Sequence, residues 1–239
     1  MLKAFKHIDD ELVSTQNLVE KGLWINLVNP TEEEIMEVAQ QTGVLPDLLR
    51  AALDEEERSR IEVDEGQLLI LINIPIYEGA DGTLLYDTMP LGIIVSDKAV
   101  ITVTLKENLI LNEFIFGKPR SFYTYKKTRF VLQILFRTAT QYLRYLKQID
   151  KKTTEIESQV HKSMQNEELI KLLNLEKSLV YFTTSLRANE IVMERLLKSQ
   201  IVKVEDPDME ITSQILKMYP EDEELLEDVI TENKQAIDM

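Results

Sequence analysis

The stretch KKTRFVLQILFRTATQYLRYLKQIDKKTTEIESQVHKSM, residues 126–164, decides the architecture. It holds neither Gly nor Pro. Leu132, Leu135, Ala139, Tyr142, Leu146, Ile149, Thr153, Ile156 and Val160 are spaced alternately three and four residues apart, which places them on one helix face. A helix of these 39 residues would be about 58 Å long at about 1.5 Å per residue. Around Gln165–Asn166 the pattern resets. Leu172, Leu175, Leu179, Phe182, Leu186, Asn189, Met193 and Leu196 then repeat it. Two such helices with a short connection are expected to be antiparallel neighbours. A pair this long must project from a globular base or pack against another layer. Asn189 interrupts an otherwise apolar stripe, and a buried polar group there can fix register.

Upstream, the period changes from heptads to short runs. GLWINLV (22–28) alternates as a strand does. NPTEEEIMEVAQQTG (29–43) reads as a helix, with Thr31 and Glu34 forming a capping box and Gly43 ending it. LPDLLRAALDEEE (45–57) reads as a second helix. SRIEV, QLLILINIPIY, LLYDTMPLGIIVS and AVITVTL read as strands, with turns at Glu65–Gly66, Gly79–Gly82 and Asp97–Lys98. The last three are closely spaced, which predicts an antiparallel meander. Trp24, the only tryptophan, is expected in the core beside Ile25 and Leu27. Arg58 and Arg60 beside the acids at 54–57 suggest a salt-bridge network. His161, near the end of the first heptad helix, is expected at the surface.

Composition narrows the function. The chain has 239 residues and a net charge of −15. It contains no Cys, so disulfides, thiolate metal sites and cysteine catalysis are excluded. Its two histidines, His7 and His161, lie far apart, against a His-rich metal centre. The longest apolar runs, 68–77 and 91–105, fall short of the about 20 residues a membrane helix needs, the second being broken by Asp97 and Lys98. No Gly-rich phosphate loop, GxSxG, HExxH or DxDxDG occurs, and no constellation supports an enzyme. From Glu205 to Met239 twelve acidic residues face two basic ones. Nucleic acid is therefore not expected as a partner; the acidic segment reads as a solvated helix face or as a field that concentrates cations. Glu32, Glu33 and Glu34 fit compensation of a helix dipole. Asp54 to Glu57 fit a solvated loop or a loose oxygen site for a hard cation. The end, EDEELLEDVITENKQAIDM, reads as an amphipathic helix with Leu226, Val229, Ile230 and Ile237 on one face and no stop signal.

Several stretches together resemble the CorA family of magnesium and divalent-cation transporters. They are WINLVNPTEEE (24–34), LPDLLRAALDEEERSRIE (45–62), AVITV (99–103), LKQIDKKTTEIE (146–157) and LLEDVITENKQAIDM (225–239). Their order covers nearly the whole chain. The resemblance implies a homopentamer in which the last helix continues into membrane helices and a Gly-Met-Asn motif at the pore mouth, features not in these residues. It implies that this segment lies on the cytoplasmic side of the cell membrane, joined to its own membrane-spanning part. The implied function is a sensing and gating domain for Mg²⁺ or another divalent cation, bound weakly. Some members hold regulatory Mg²⁺ between subunits on acids of the helix that follows the Pro of LPDLLRAALD. Ala51 and Arg50 stand at that position here, so the site does not carry over. Asp47, Asp54 and Glu55 are the nearby acids that could substitute.

The expected fold is α/β, of α+β type: a mostly antiparallel sheet covered by helices, then a long antiparallel hairpin and the start of a stalk helix. Residues 1–125 are expected as the sheet domain and 126–239 as the helical region, with the hairpin at 126–198, a connector at 199–219 and the stalk start at 220–239. The alternative is a soluble coiled-coil scaffold without transport activity, supported by the heptads alone.

Overall fold

The structure is a computed structural model. It describes residues 1–79, 85–117, 119, 122–160, 166–198 and 213. His161, the 199–219 connector and the 220–239 helix expected from the sequence lie outside these residues, apart from Ser213.

Seven strands form one sheet: β1 (Leu2–Ile8), β2 (Glu11–Thr15), β3 (Leu23–Val28), β4 (Arg60–Asp64), β5 (Gln67–Tyr77), β6 (Tyr86–Val95) and β7 (Ala99–Thr104). Their spatial order is β2-β1-β3-β7-β6-β5-β4. The strands β5 to β7 form the expected antiparallel meander, and β4 extends it by pairing antiparallel with β5. β3 pairs with β7 in parallel, with Leu23 opposite Ala99 and Val28 opposite Thr104. That pairing joins residues about eighty positions apart. β3 and β7 are buried at every position, because helices cover both faces of the sheet.

One face packs against α1 (Glu32–Thr42), α2 (Pro46–Arg50) and a 3-10 turn at Ala51–Leu53. Ile25, Leu27, Ile101 and Val103 meet Ile35, Val38, Leu49 and Ala52 there. The capping box at α1 is present: Thr31 Oγ1 accepts from the Glu34 amide, and Glu34 Oε2 accepts from the Thr31 amide. Gly43 closes α1 at φ 80°, in the left-handed region that favours glycine.

The helix expected over 45–57 is shorter than its sequence suggested. It ends as the 3-10 turn at Leu53, and Asp54 turns extended at ψ 120°. The Asp54 carboxylate takes the Glu56 amide at 3.0 Å, so the chain forms an Asx turn in place of a further helical turn. Three further acids following Asp54 would also have stood at the negative end of the helix. Close packing holds the 3-10 turn in place. A Cβ on Gly92 of β6 would come within 2.9 Å of the Ala52 Cβ, so this crossing requires glycine on the strand.

The other face carries α3 (Leu109–Phe116), α4 (Lys127–Val160) and α5 (Asn166–Lys198). Both heptad stripes are buried among the described side chains. Leu132, Leu135, Ala139, Tyr142, Leu146 and Ile149 of α4 are sealed, as are Leu172, Leu175, Phe182, Leu186 and Asn189 of α5. Tyr142 meets Phe182 edge-on at 5.0 Å. Tyr86 of β6 reaches both Gln148 of α4 and Ser178 of α5. As α4 numbers rise, their α5 partners fall, so the two helices are antiparallel. The pair lies along the sheet over β4, β5 and β6 and does not merely extend from it.

The N-terminal strand carries a titratable contact. His7 Nδ1 accepts the Thr124 amide at 3.1 Å, and the His7 amide donates to Thr124 Oγ1 at 3.1 Å. Burial lowers the His7 pKa from 6.5, against a smaller opposing pull from Asp10. A lowered pKa means the unfolded chain binds the proton more readily, so this contact's stabilisation is complete above pH 6.5 and declines as pH falls through the folded value. The stability difference between wild type and His7→Phe, measured by urea unfolding from pH 8 to 5, is expected to shrink below pH 6.5. A difference that stays constant with pH would disprove it.

Candidate functional site

The three acids marked in the sequence occupy three different settings. Asp47 lies on α2 and pairs with Arg50 at 2.8 Å. Arg50 also grips Glu32 of α1, whose carboxyl is held below its ordinary range mainly by that hydrogen bond. The Glu32–Arg50–Asp47 chain is exposed, so water screens it, and the guanidinium cancels charge a cation would need. Asp54 spends one carboxylate oxygen on the Glu56 amide. Arg60 bridges Glu57 at 2.5 Å and Glu62 at 3.2 Å, which is the salt-bridge network expected around Arg58 and Arg60, carried by Arg60.

Of the three, Glu55 lines a cleft. The cleft holds about 410 Å³ and sits where the ends of β5 and β6 meet α5. Glu55 and Glu56 come from the loop before β4, Glu78 from the end of β5, and Asp87 from β6. Lys106, just after β7, forms an ion pair with Glu78 across it, and Tyr181 of α5 closes one wall. Glu78 holds the Lys106 ammonium above its ordinary value. Asp87 behaves differently. Burial pushes its carboxyl up, although its own oxygen accepts the Thr88 amide at 2.7 Å. Four carboxylates line the cleft with the Lys106 ammonium, and Lys177 of α5 also acts on Asp87, so the acids outnumber the cations and leave the cleft negative. Among the described residues no three His, Cys, Asp or Glu side chains converge closely enough to hold a bare metal ion. The arrangement suits a hydrated cation attracted by the field more than one stripped of its waters.

Glu78, Asp87 and Lys106 were missed in the sequence because they are brought together only by the meander. The available signal was Asp87 itself, a single acid inside the apolar run LLYDTMPLGIIVS.

Comparison with known proteins assigns the fold a family. The family model described as CorA-like Mg²⁺ transporter protein matches residues 19–239. The chain belongs to the CorA family. The cobalt/magnesium transport protein CorA of Methanocaldococcus jannaschii is 28% identical over 226 residues, which is 91% of this chain and 64% of that protein. This chain thus spans less than two thirds of that relative's length. The soluble domain of CorA from the same organism superposes with a TM-score of 0.85 at 21% identity, covering 100% of this chain and 96% of that one. The complete CorA structure from that organism gives 0.79 at 22% identity, covering 99% of this chain and 74% of that one. The shared fold of the CorA soluble domain is therefore the α/β sheet and long helices described above. Among the described residues no helix is long and apolar enough to cross a membrane.

Proposed function

We propose that this chain is the cytoplasmic part of a CorA-type divalent-cation transporter, carried in a homopentamer by membrane helices beyond it, and that it biases the open–closed equilibrium in response to Mg²⁺. The observation that supports this most is the family match over 19–239, together with a fold shared along the full length of a CorA soluble domain. On this reading conduction needs no chemistry from the described residues, and the chain is not an enzyme. The division near residue 125 separates a cation-sensing sheet domain from a helical arm that transmits the signal.

The sensing is proposed to be weak and diffuse. Arg50 neutralises Asp47, and Asp54 is partly used by its own turn. Glu55, beside Glu56, Glu78 and Asp87, then supplies the more useful field for Mg²⁺ carrying its water shell. A dissociation constant on the order of millimolar is expected, so tenfold excess Mg²⁺ stabilises the fold by only about 1.4 kcal/mol. Thermal unfolding against Mg²⁺ at two NaCl concentrations tests it. The midpoint should rise slightly at millimolar Mg²⁺, and less at high NaCl. No rise at any Mg²⁺ concentration would remove the sensing role. A large rise at micromolar Mg²⁺ that ignores NaCl would instead require inner-sphere ligands, with Asp47→Ala, Asp54→Ala and Glu55→Ala the first substitutions to separate them.

A further inference from the structure

The β1–β2 hairpin meets the base of α4 through one histidine. His7 of β1 and Thr124, three residues before α4, exchange two hydrogen bonds: the Thr124 amide donates to His7 Nδ1 at 3.1 Å, and the His7 amide donates to Thr124 Oγ1 at 3.1 Å. Nδ1 accepts, so the neutral ring carries its hydrogen on Nε2. Thr124 is fully buried, and the Phe122 ring meets His7 edge-on at 5.0 Å. Phe122 in turn lies 6.0 Å from Trp24, and Phe5, two residues before His7, lies 5.0 Å from it. The only tryptophan of the chain therefore borders both sides of this contact. Charged groups around His7 are few. In the hairpin turn, beside Asp9, the Asp10 carboxylate favours the His7 proton and also holds the Tyr123 hydroxyl above its ordinary pKa. On β1 Lys6 is taken up by Glu20, on β2 Glu11 stands opposite Ile8, and before α4 Lys126 lies over the Tyr123 ring at 5.2 Å.

We propose that His7 is a pH-operated latch between the β1–β2 hairpin and the base of α4, closed on Thr124 when neutral and drawn to Asp10 when protonated. An imidazolium carries a hydrogen on both nitrogens, so its Nδ1 cannot accept the Thr124 N–H. Proton and hydrogen bond thus exclude each other at one atom. Breaking the bond strands a buried amide, so the docked ring resists the proton. Once charged, the ring is attracted by Asp10, three residues on. Asp10 then exchanges its neighbour Tyr123 for the imidazolium, and the side-chain ties of the hairpin to residues 123 and 124 weaken together. The bond from the His7 amide to Thr124 Oγ1 does not titrate, so the opening is local and the strand stays in the sheet. The latch is closed above pH 6.5 and opens as pH falls through the lower folded value. It needs no bound cation, so it stands or falls separately from Mg²⁺ sensing.

Amide hydrogen exchange by NMR on the full chain reads the latch, with Trp24 emission as a second signal. Between pH 7.5 and pH 5.0 the protection of the Thr124 amide, corrected for the intrinsic exchange rate, should fall at least about fivefold more than that of Ile70 and Ile93, paired in the sheet between β5 and β6. Trp24 emission should change with the same midpoint, below pH 6.5. His7→Asn offers a side-chain oxygen to the same amide and does not titrate in this range, so both signals should stay flat. Asp10→Asn removes the attraction for the proton, so the midpoint should move lower. Thr124 protection that holds to pH 5.0 in the parent chain would overturn the proposal. So would an equal loss in His7→Asn. A parallel loss at Ile70 and Ile93 would assign the change to global unfolding and overturn it as well. A midpoint unmoved by Asp10→Asn would overturn the swing to Asp10.

Discussion

Trp24→Ala is expected to lower the unfolding free energy by about 3–5 kcal/mol, the largest loss from a single side chain in this fold. Trp24 is fully buried on β3. Its ring lies 5.0 Å from Phe5 and 5.1 Å from Phe130, with Phe122 at 6.0 Å and Phe114 at 6.2 Å, most of them edge-on. These partners come from β1, α3, α4 and the segment before α4, so one indole ties four parts of the chain to the central strand. Truncation leaves a cavity that rigid aromatic neighbours cannot collapse into. The indole also donates to Thr102 Oγ1 at 2.9 Å, and that hydroxyl donates to Asn26 Oδ1 at 2.9 Å. Trp24→Phe separates the two contributions. It keeps much of the volume and removes the donor, so a loss of about 1–2 kcal/mol is expected. Urea unfolding monitored by circular dichroism measures both. A loss below about 1 kcal/mol for the alanine variant would mean that the aromatic cluster does not act as a unit.

The parts of this fold that were legible in the sequence are those whose information is local. The heptads of α4 and α5 repeat a buried face over many turns, and the capping box at Thr31 and Glu34 spans four residues. The meander from β4 to β7 has short turns, so neighbouring strands are also neighbours in sequence. What was missed needed distant pairing or lacked a period. The β1–β2 hairpin turns at Asp9 and Asp10 with φ 47° and 65°, where no glycine announces a left-handed turn. α3 reads LILNEFIF, apolar nearly throughout, so a buried short helix could not be told from a strand. Asn108 caps it, accepting from the Leu111 amide at 2.9 Å, and Gly117 ends it, and these two residues were the usable signals. The parallel contact of β3 with β7 has no sequence signature of its own. The cleft was half legible. Glu55 was singled out, but its companions come from the ends of three other segments.

Asn189 was marked as a polar interruption that could fix the register of the helix pair, and the structure gives it a different partner. It bonds to the sheet. β4 begins only at Arg60, opposite Leu71, so the second half of β5 has no strand beyond it on that side. On the other side, Pro90 of β6 stands opposite Asn73, and Pro75 of β5 opposite Thr88. Proline has no N–H to give, so these pairs are the non-bonded kind, and the Asn73 backbone points toward the bare edge. The Asn189 side chain completes that edge. Its oxygen accepts the Asn73 amide at 2.9 Å, and its nitrogen donates to the Asn73 carbonyl at 2.7 Å. One amide thus replaces one residue of a missing strand. Ser59 donates to the same oxygen at 3.0 Å, and Tyr142 of α4 donates to the Asn73 carbonyl at 3.0 Å. Asn189→Leu keeps the volume but leaves the Asn73 N–H without its acceptor, so a loss of about 2–3 kcal/mol is expected. Asn189→Asp should behave differently with pH. It retains an acceptor for the Asn73 N–H, but its second oxygen faces the Asn73 carbonyl and its charge is buried. Such a carboxyl ionises less readily folded than unfolded, so Asn189→Asp should cost more at pH 7 than at pH 4 relative to wild type at the same pH. Equal losses for both variants at both pH values would show that Asn189 contributes only packing. If the amide does hold the edge, hydrogen exchange in Asn189→Leu should rise at the Asn73 amide more than elsewhere in the sheet. That would show that the Asn189 amide protects the open edge of β5 locally.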